Sequence, residues 1–417
     1  MSNFIINGGE KLKGTVKVDG SKNAALPIIS ACLLTDKPSI LTNVPDIADI
    51  HTLLSILEFL GAKTEYKNKV LKINPKNLKN KKIPHKLVSK IRGSIVLLAP
   101  LLARFHEVQL SFPGGCVIGK RPIDAHLHAF RELGIKIISD QEIIHLKAPK
   151  LTGKNFSMTE MSVTATENAI MAACLAQGKT TIRLAASEPH IQDLCLAINK
   201  AGAKISGVGT HDLTINGVKK IKGLTHKITS DYLEVGTFAI AAAVTGGHVI
   251  IKDARENHLD SFWQKMKEVG VNFQHRQNEV EIFPSSNLKS ANIKTAVFPS
   301  FPTDLQAQFA VLLTQSRGIS QIFESLFDGK MNYIFELEKM GAHIAYINNH
   351  EAMIFGKTKL KGCPVSSLDI RAGAAMVLAG LSAQGQTEIS QINYIDRGYS
   401  NLTGKLRSLG ADIKRIN

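Results

Sequence analysis

The sequence has 417 residues, 44% of them apolar and 21% charged, a composition that excludes a peptide-sized scaffold and a wholly disordered chain. At roughly 100–200 residues per domain, this length predicts two to four domains with large buried cores. Lysine and arginine total 51 against 35 acidic residues, a formal charge of +16, so the surface should attract phosphorylated metabolites, nucleic acid or an anionic membrane surface. The basic residues stand in small groups with few aromatic side chains between them, which favours a solvated basic surface over a nucleic-acid interface.

The five cysteines are an odd number without a CxxC pair, which argues against a disulfide scaffold and against a structural zinc site. The first residues lack a basic segment followed by an apolar core, and no run approaches ~18 uninterrupted apolar residues. We therefore expect a cytoplasmic protein with no insertion into the membrane. A monomer is a separate expectation that these observations do not set.

A short phrase with a central glycine occurs six times, and its glycines are 73, 68, 68, 71 and 69 residues apart. Each copy follows an amphipathic stretch and precedes an alternating one, so the glycine should cap a helix in the left-handed conformation before a strand begins. The copies are Leu60-Gly61-Ala62, Leu133-Gly134-Ile135, Ala201-Gly202-Ala203, Val269-Gly270-Val271, Met340-Gly341-Ala342 and Leu409-Gly410-Ala411.

A second phrase, an alanine- and leucine-rich helix followed by a polar turn and a β-branched strand, also occurs six times. Its copies are residues 24–44, 95–115, 168–189, 237–256, 306–325 and 374–393. Because these helices are apolar on nearly all sides, they are predicted to be buried, with sheets covering them. Six units of about 70 residues predict a mixed α/β fold, most economically arranged as two lobes of three units.

The first candidate site lies where an alternating strand leads into an apolar helix. Lys22 is placed at the helix N-terminus, where its ammonium group would add to free backbone N–H groups and favour an anion. Ser21 could be no more than the N-cap. Arg92 and Arg397 are arginines beside glycine at the ends of elements, and each alone is more typical of a surface residue than of a ligand contact.

The most unusual local sequence surrounds Cys116, in the segment SFPGGCVIGKRPID at 111–124. Its glycines give a mobile backbone, and Lys120 and Arg121 put positive charge near the sulfur, which favours the thiolate. The segment therefore predicts a reactive cysteine. The alternative is a glycine-rich turn with an exposed thiol. By contrast, Cys32 and Cys174, on apolar helices, are predicted to be buried.

Asp304 opens one of the predicted buried helices, in the segment SFPTDLQ at 300–306. It could serve only as an N-cap, or as a general base for a substrate hydroxyl. Asp369 and Arg371 open the last such helix in the same way.

Five phrases together make the chain similar to the enolpyruvyl transferases, and most of all to the branch whose acceptor is UDP-N-acetylglucosamine. They are GSKNAALP at 20–27, PGGC at 113–116, GKRPID at 119–124, FPTDLQAQF at 301–309 and IDRGY at 395–399. The resemblance implies an α/β (α+β) fold of two lobes, each an inside-out barrel of three βαβαββ units with buried helices. One lobe would span 22–229 and carry the Cys116 loop. The other would combine 1–21 with 230–417, so that the chain crosses twice between lobes and the active site lies in the cleft.

The activity that the resemblance implies is transfer of the enolpyruvyl group of phosphoenolpyruvate to the 3′-hydroxyl of UDP-N-acetylglucosamine. Phosphate is released after addition and elimination through a tetrahedral ketal, in the first committed step of peptidoglycan synthesis. Cys116 would be the general acid and form a covalent adduct, Asp304 would be the base, and the glycine-rich loop would close as a lid. Cys116 would also be the target of fosfomycin. No metal or organic cofactor is required.

The same match implies three sets of residues. Those for phosphoenolpyruvate are Lys22, Asn23, Arg121 and Arg397. Those for UDP-N-acetylglucosamine are Asn23, Arg92, Arg121, Pro122, Ile123, Asp124, Ala125, Ser162, Val163, Asp304 and Leu326. Supporting residues are Asp49, Asp231, Lys330, Asp369 and Arg371.

The chain departs from the family pattern at four positions. Shortly before a usual Ser-Val-Gly the family commonly has a lysine, and this chain has Glu160 in that stretch instead. Thr164 replaces the glycine of the same Ser-Val-Gly. Lys330 and Tyr232 replace usual arginines, and a lysine cannot pair bidentately with a carboxylate. We expect an active enzyme with altered nucleotide affinity.

Other functions remain open at this point. The sister enzyme that uses shikimate 3-phosphate lacks an equivalent of the Gly-Gly-Cys loop. A silent UDP-sugar sensor should have lost Cys116, Lys22 or Arg397, and a nucleic-acid-binding protein should show steep salt-dependent retention on DNA. His126 and His128 are expected to be packing and surface residues rather than metal ligands.

Overall fold

The computed structural model describes residues 2–114, 122–138 and 142–416, in which helices and strands alternate along the chain. Cys116 and Arg121 lie outside these residues. The helices are α1 (Lys22–Ala31), α2 (Ala48–Phe59), α3 (His85–Val88), α4 (Leu98–Phe105), α5 (Asp124–Glu132), α6 (Val163–Cys174), α7 (Pro189–Lys200), α8 (Tyr232–Val244), α9 (Asp260–Val269), α10 (Gln306–Thr314), α11 (Tyr333–Lys339), α12 (Ile370–Ser382) and α13 (Leu402–Ser408).

The strands are short, and most show the alternating burial of a sheet with one covered face. They are β1 (Asn3–Asn7), β2 (Lys13–Lys17), β3 (Ser39–Thr42), β4 (Lys63–Lys67), β5 (Val70–Asn74), β6 (Glu107–Ser111), β7 (Lys136–Ile137), β8 (Ile143–Lys147), β9 (Asn155–Ser157), β10 (Lys179–Arg183), β11 (Lys204–Ser206), β12 (Leu213–Asn216), β13 (Thr225–Lys227), β14 (His248–Lys252), β15 (Asn272–Arg276), β16 (Glu279–Phe283), β17 (Ile293–Lys294), β18 (Gly318–Phe323), β19 (His343–Asn348), β20 (Glu351–Gly356), β21 (Pro364–Ser366), β22 (Gln386–Ser390) and β23 (Asp412–Ile416).

The described chain divides into two compact units, named here by their place in the sequence. The central unit runs from Gly20 to Thr229. The terminal unit combines the residues up to Asp19 with those from Ser230 onward.

Each unit contains three separate sheets among its described residues, and none of them closes on itself. In the central unit their strand orders are β13-β3-β5-β4, β6-β8-β7 and β11-β12-β10-β9. In the terminal unit they are β15-β16-β14-β2, β17-β18-β20-β19 and β21-β22-β1-β23.

The strands next to α1 and α8 are exchanged between the two units. Elsewhere, as in β9–α6–β10 and β17–α10–β18, the strand before a buried helix pairs in parallel with the strand after it. The strand β2 precedes α1 but pairs with β14, whereas β13 precedes α8 but pairs with β3. The chain therefore passes from one unit to the other after Asp19 and again after Thr229.

The cores are built around helices that are buried along almost their whole length. In the terminal unit α8, α10 and α12 pack against one another. In the central unit α4 packs against α6, and α1 packs against the 3-10 helix Arg92–Leu97. The predicted burial of the apolar helices is confirmed, and Cys32 and Cys174 are fully buried as expected.

The six repeated glycines all follow a helix and precede a strand. Their φ angles lie between +77° and +106°, the left-handed region that glycine tolerates best. They end α2, α5, α7, α9, α11 and α13, so the predicted cap is confirmed in every copy.

Candidate active site

Asp304 lies in the terminal unit, in the 3-10 helix Thr303–Leu305 that leads into α10. Its Oδ1 is 2.9 Å from Lys330 Nζ, and its Oδ2 is 3.3 Å from Arg371 Nε. The Asp304 side chain is 30% exposed, whereas those of Lys330 and Arg371 are only 4% and 6% exposed. Asp304 is thus a carboxylate that solvent can reach, and two buried cations hold it in place.

Both cations keep their protons despite their burial. Burial by itself would lower the pKa of Lys330, but the nearby Asp304 and Asp369 carboxylates outweigh it, so the pKa is raised. Burial would also lower the pKa of Arg371, and it is outweighed chiefly by Tyr399 and Asp304, so this pKa is raised as well.

Asp369 acts as the N-cap of α12, with its Oδ1 accepting from Arg371 N at 2.7 Å and from Ala372 N at 3.0 Å. This cap orients the first turn of α12 and so places the Arg371 side chain. We refer below to Asp304, Lys330, Asp369 and Arg371 as the Asp304 cluster.

Tyr399 connects the N-terminal parts of three buried helices in the terminal unit. Its hydroxyl lies 2.9 Å from Thr237 Oγ1 on α8 and 3.2 Å from Gln308 Nε2 on α10. The Arg371 guanidinium of α12 lies 5.4 Å from the centre of its ring. Arg397, half-buried, stands two residues earlier, at the end of the 3-10 helix Ile392–Arg397. Helix N-termini that meet at one end favour an anion there.

Glu324 is a residue of this end of the terminal unit that sequence reasoning missed. It follows β18 directly and is fully buried. Its carboxylate accepts hydrogen bonds from Thr303 and from the backbone of Leu326 and Phe327. The one local signal is a charged residue directly after a predicted β-branched strand.

Lys22 begins α1 in the central unit, after the N-cap Ser21, whose Oγ accepts from Ala24 N at 3.4 Å. The predicted place of Lys22 at a helix N-terminus is therefore confirmed. Its Nζ lies 2.6 Å from Asp49 Oδ2, and the two side chains are 11% and 5% exposed. Asp49, in the first turn of α2, fixes the ammonium group in place. Asn23, the next residue of α1, is half-buried.

A buried neutral network connects α5 with α6 in the central unit. Asn168 Nδ2 donates to His126 Nδ1 at 3.0 Å, and His126 Nε2 lies 3.0 Å from Thr164 Oγ1. The same amide also accepts from Ala99 N and donates to Ile95 O, each at 3.0 Å. We refer to His126, Thr164 and Asn168 as the Asn168 cluster.

The imidazole of His126 is neutral. Burial, helped by the positive charge of Arg92, lowers its pKa to about 3. Since Nδ1 accepts from Asn168, the proton resides on Nε2, which donates to Thr164. Thr164, which stands where the family resemblance implies a glycine, therefore has a hydrogen-bond partner in His126.

The Asn168 cluster lies close to several residues that are predicted to contact UDP-N-acetylglucosamine. Arg92 Nη2 donates to Pro122 O at 3.2 Å, and α5 begins at Asp124. Ser162 and Val163 stand at the N-terminus of α6, immediately before Thr164.

Other predicted positions lie as follows. Leu326, in the terminal unit, is 38% exposed. Glu160 is exposed, and its carbonyl accepts from Ser162 N at 2.8 Å. Asp231 is the N-cap of α8, and Tyr232 beside it is buried edge-on against His258. Within the described parts of the chain, no helix has both the length and the apolar character needed to cross a membrane.

Comparison with known proteins gives a consistent result. A family model described as EPSP synthase (3-phosphoshikimate 1-carboxyvinyltransferase) matches residues 6–406. The chain is 43% identical over 416 residues to UDP-N-acetylglucosamine 1-carboxyvinyltransferase of Halothermothrix orenii, covering 100% of both chains. It is 45% identical over 415 residues to the protein of that name from Campylobacter hominis, covering 99% of both.

Solved structures share the fold at lower sequence identity. The enolpyruvyl transferase NikO from Streptomyces tendae matches with a TM-score of 0.90 and 22% identity, over 99% of this chain and 98% of its own. EPSP synthase from Acinetobacter baumannii matches with a TM-score of 0.77 and 17% identity, over 100% of both chains. The predicted α/β fold of the enolpyruvyl transferases is confirmed. The chain therefore belongs to the EPSP synthase family and, within it, to the UDP-N-acetylglucosamine 1-carboxyvinyltransferases.

Proposed function

We propose that this transferase moves the enolpyruvyl group of phosphoenolpyruvate to the 3′-hydroxyl of UDP-N-acetylglucosamine with release of phosphate, the first committed step of peptidoglycan synthesis. The observation that carries the proposal is full-length similarity to enzymes named for this carboxyvinyl transfer. The retained Cys116 segment and the Asp304 cluster supply the chemistry. A monomeric cytoplasmic protein is part of the same proposal.

The addition step needs a base on the acceptor and an acid on the donor. Asp304 accepts the proton of the 3′-hydroxyl as its oxygen bonds to C2 of phosphoenolpyruvate, and Cys116 delivers a proton to C3. Lys330 and Arg371 each hold one oxygen of Asp304, so the carboxylate cannot rotate away from the hydroxyl.

The elimination step reverses the proton transfer at carbon. The tetrahedral ketal loses a C3 proton to the Cys116 thiolate while the C2–O bond to phosphate breaks and the leaving phosphate takes the electron pair. A new C2–C3 double bond completes the enol ether. Cys116 ends the cycle as a thiol, and Asp304 returns to the carboxylate when its proton passes to the leaving phosphate or to solvent. No external oxidant or reductant is needed.

Cations balance the charge of phosphoenolpyruvate in this scheme. Lys22, Arg121 and Arg397 would bind its phosphate and carboxylate groups, and Asn23 would contact both substrates. The contact between Lys22 and Asp49 supports this role because it keeps a flexible lysine in one position.

The residues proposed to contact the UDP-sugar form two sets. In the central unit the proposed residues are Arg92, Arg121, Pro122, Ile123, Asp124, Ala125, Ser162 and Val163. In the terminal unit Leu326 would join Asp304. The hydrogen bond from Arg92 to Pro122 supports the proposal that Arg92 and the segment beginning at Pro122 contribute to the same binding site.

The test is phosphate release from phosphoenolpyruvate by the purified protein, with UDP-N-acetylglucosamine or shikimate 3-phosphate as the acceptor. Release with the UDP-sugar alone is expected. Release with the shikimate compound alone would assign the chain to the sister activity, and release with neither would favour a silent binding protein.

A second readout follows the proposed acid. Fosfomycin should add covalently to Cys116 and stop phosphate release, with the Cys116 loop acting as a lid. Burial raises the pKa of the Cys32 and Cys195 thiols to about 12, and burial raises that of Cys174 as well, so these residues should stay unmodified. Peptide mapping by mass spectrometry locates the adduct, and an adduct elsewhere would contradict the assignment.

A further inference from the structure

The buried carboxylate of Glu324 connects two segments of the terminal unit that carry proposed substrate residues. Its Oε2 accepts a hydrogen bond from Thr303 Oγ1 at 2.7 Å. Its Oε1 accepts from Leu326 N at 2.9 Å and from Phe327 N at 3.3 Å. Glu324 is 0% exposed, and a carboxylate without solvent is tolerated only when hydrogen bonds or cations replace its hydration.

The two segments are those that present the proposed base and the proposed sugar contact. Thr303 immediately precedes Asp304 in the same 3-10 helix. Leu326 and Phe327 belong to the connection after β18 that continues to Lys330, the buried partner of Asp304. The Glu324 carboxylate thus sets the distances between Asp304, Lys330 and Leu326.

The backbone of Glu324 is itself held firmly. Its N–H donates to His350 O at 2.7 Å, and its carbonyl oxygen lies 2.7 Å from His350 Nδ1. Since β18 pairs along its whole length with β20, the carboxylate extends from a well-supported strand end. The rigid element is therefore the sheet, and the two loops are fixed against it.

We propose that Glu324 is a positioning residue for the acceptor sugar, acting through Thr303 on Asp304 and through the Leu326 and Phe327 backbone on the sugar contact. This inference rests on the proposed function. A carboxylate suits the task because it has two acceptor oxygens: one serves the Thr303 hydroxyl and the other serves the two backbone N–H groups.

Substitutions at Thr303 test the connection without removing the buried charge. Thr303→Val keeps the shape but removes the donor, which leaves Oε2 of Glu324 buried without that hydrogen bond. Asp304 should then shift, lowering kcat about tenfold and raising KM for UDP-N-acetylglucosamine severalfold, because small misplacements of a catalytic group are costly. KM for phosphoenolpyruvate should stay within about twofold. Thr303→Ser, which keeps the hydroxyl, should restore kcat to within about threefold of wild type.

The matched control is Thr314→Val at the other end of α10. Thr314 is fully buried, and its hydroxyl donates to Val311 O at 2.7 Å, so this variant also loses a buried hydroxyl from the same part of the fold. It should lower the melting temperature without changing kcat or either KM.

Four results would overturn the inference, three of them from the variants. Wild-type kinetics in Thr303→Val would show that the hydrogen bond positions nothing. Equal losses in Thr303→Val and Thr303→Ser, or equal losses in Thr303→Val and Thr314→Val, would point to general destabilisation. A wild-type protein that releases phosphate with neither acceptor would instead overturn the proposed function, and the inference with it.

Discussion

The Asp304 cluster of the terminal unit and the Asn168 cluster of the central unit both lie beside buried helices, yet the first consists of ions and the second of neutral groups. The Asp304 cluster lies beside the first residues of α10 and α12, whereas the Asn168 cluster involves the first two turns of α6 and the first turn of α5. The Asp304 cluster consists of two carboxylates and two cations. The Asn168 cluster is an amide, a hydroxyl and an imidazole whose pKa burial lowers to about 3.

This difference suits the Asp304 cluster to proton transfer and the Asn168 cluster to maintaining the shape of a binding segment. Fixed ions are costly to bury, so a unit gains from them where charge must act on a substrate, as Asp304 would on a hydroxyl. A neutral network connects segments of the chain without that cost, provided every donor and acceptor finds a partner. We infer that the terminal unit carries the chemistry of the acceptor and that the Asn168 cluster preserves the shape of its binding segment.

Asp304→Asn should give the largest effect, because it removes the proposed base while keeping the size of the side chain. We expect kcat to fall by about 10²- to 10⁴-fold, the usual contribution of general base catalysis. The affinity for UDP-N-acetylglucosamine should change far less. Phosphate release and calorimetric titration measure the two quantities, and a kcat within a few-fold of wild type would remove Asp304 from the chemistry.

Lys330→Met tests whether the second cation matters to Asp304. The variant should lower kcat by about 10- to 100-fold, because the carboxylate loses the contact to Lys330 while Arg371 still holds its other oxygen. It should also reduce the free energy of unfolding by about 1–2 kcal/mol, less than the ~3–5 kcal/mol of a fully buried broken pair, since Asp304 remains partly solvated and keeps its contact to Arg371.

The control for this variant is Lys330→Arg, which keeps the charge and introduces the arginine that the family resemblance implies for this position. Activity and chemical denaturation should both return close to wild type. If Lys330→Met and Lys330→Arg were equally impaired, the length of the lysine side chain rather than its charge would be the essential property.

Local features of these regions could be predicted from the sequence. The spacing of the six glycines identified the helix caps, and the strand-to-helix transition placed Lys22 at an N-terminus. The apolar surroundings of Cys32 and Cys174 identified them as core residues. Each of these depends on neighbours within a few residues, where helix and strand periodicity are informative.

Contacts between distant segments could not be predicted from local periodicity. Arg371 reaches Asp304 across 67 residues of sequence, and Lys330 reaches it across 26. The exchange of β2 and β13 between the units has no local signal, because the alternation of apolar and polar residues in a strand does not determine which strand it pairs with. Glu324 was missed for the same reason: its burial depends on Thr303 and on the turn at Leu326.

The protonation of His126 predicts a pH dependence for the Asn168 cluster. Its pKa is lowered from 6.5 to about 3 by burial, so protons bind the unfolded chain more tightly, and stability is lost as the pH falls from 6.5 toward 3. Between pH 7.5 and 5.5 this residue should reduce the free energy of unfolding by about 1.4 kcal/mol. His126→Gln should flatten that slope in urea denaturation.

The comparison for this variant is His128→Gln, which removes a less buried histidine from the same helix. If His126→Gln kept the full wild-type slope between pH 7.5 and 5.5, other groups would be responsible for it, and a neutral imidazole could not be inferred from stability.

Thr164→Val should give the smallest effect, because it removes one hydroxyl from a network that keeps its other bonds. His126 Nε2 loses its acceptor, but Asn168 still binds Nδ1 and the Ile95 and Ala99 backbone. One neutral hydrogen bond contributes roughly 0.5–1.5 kcal/mol, so KM for UDP-N-acetylglucosamine should rise about two- to tenfold while kcat stays unchanged. Thr164→Ser keeps the acceptor and should match wild type. A Thr164→Val variant that lowered kcat but left this KM unchanged would show that the Asn168 cluster acts on the chemistry at the acceptor hydroxyl, and it would remove the distinction between the two clusters.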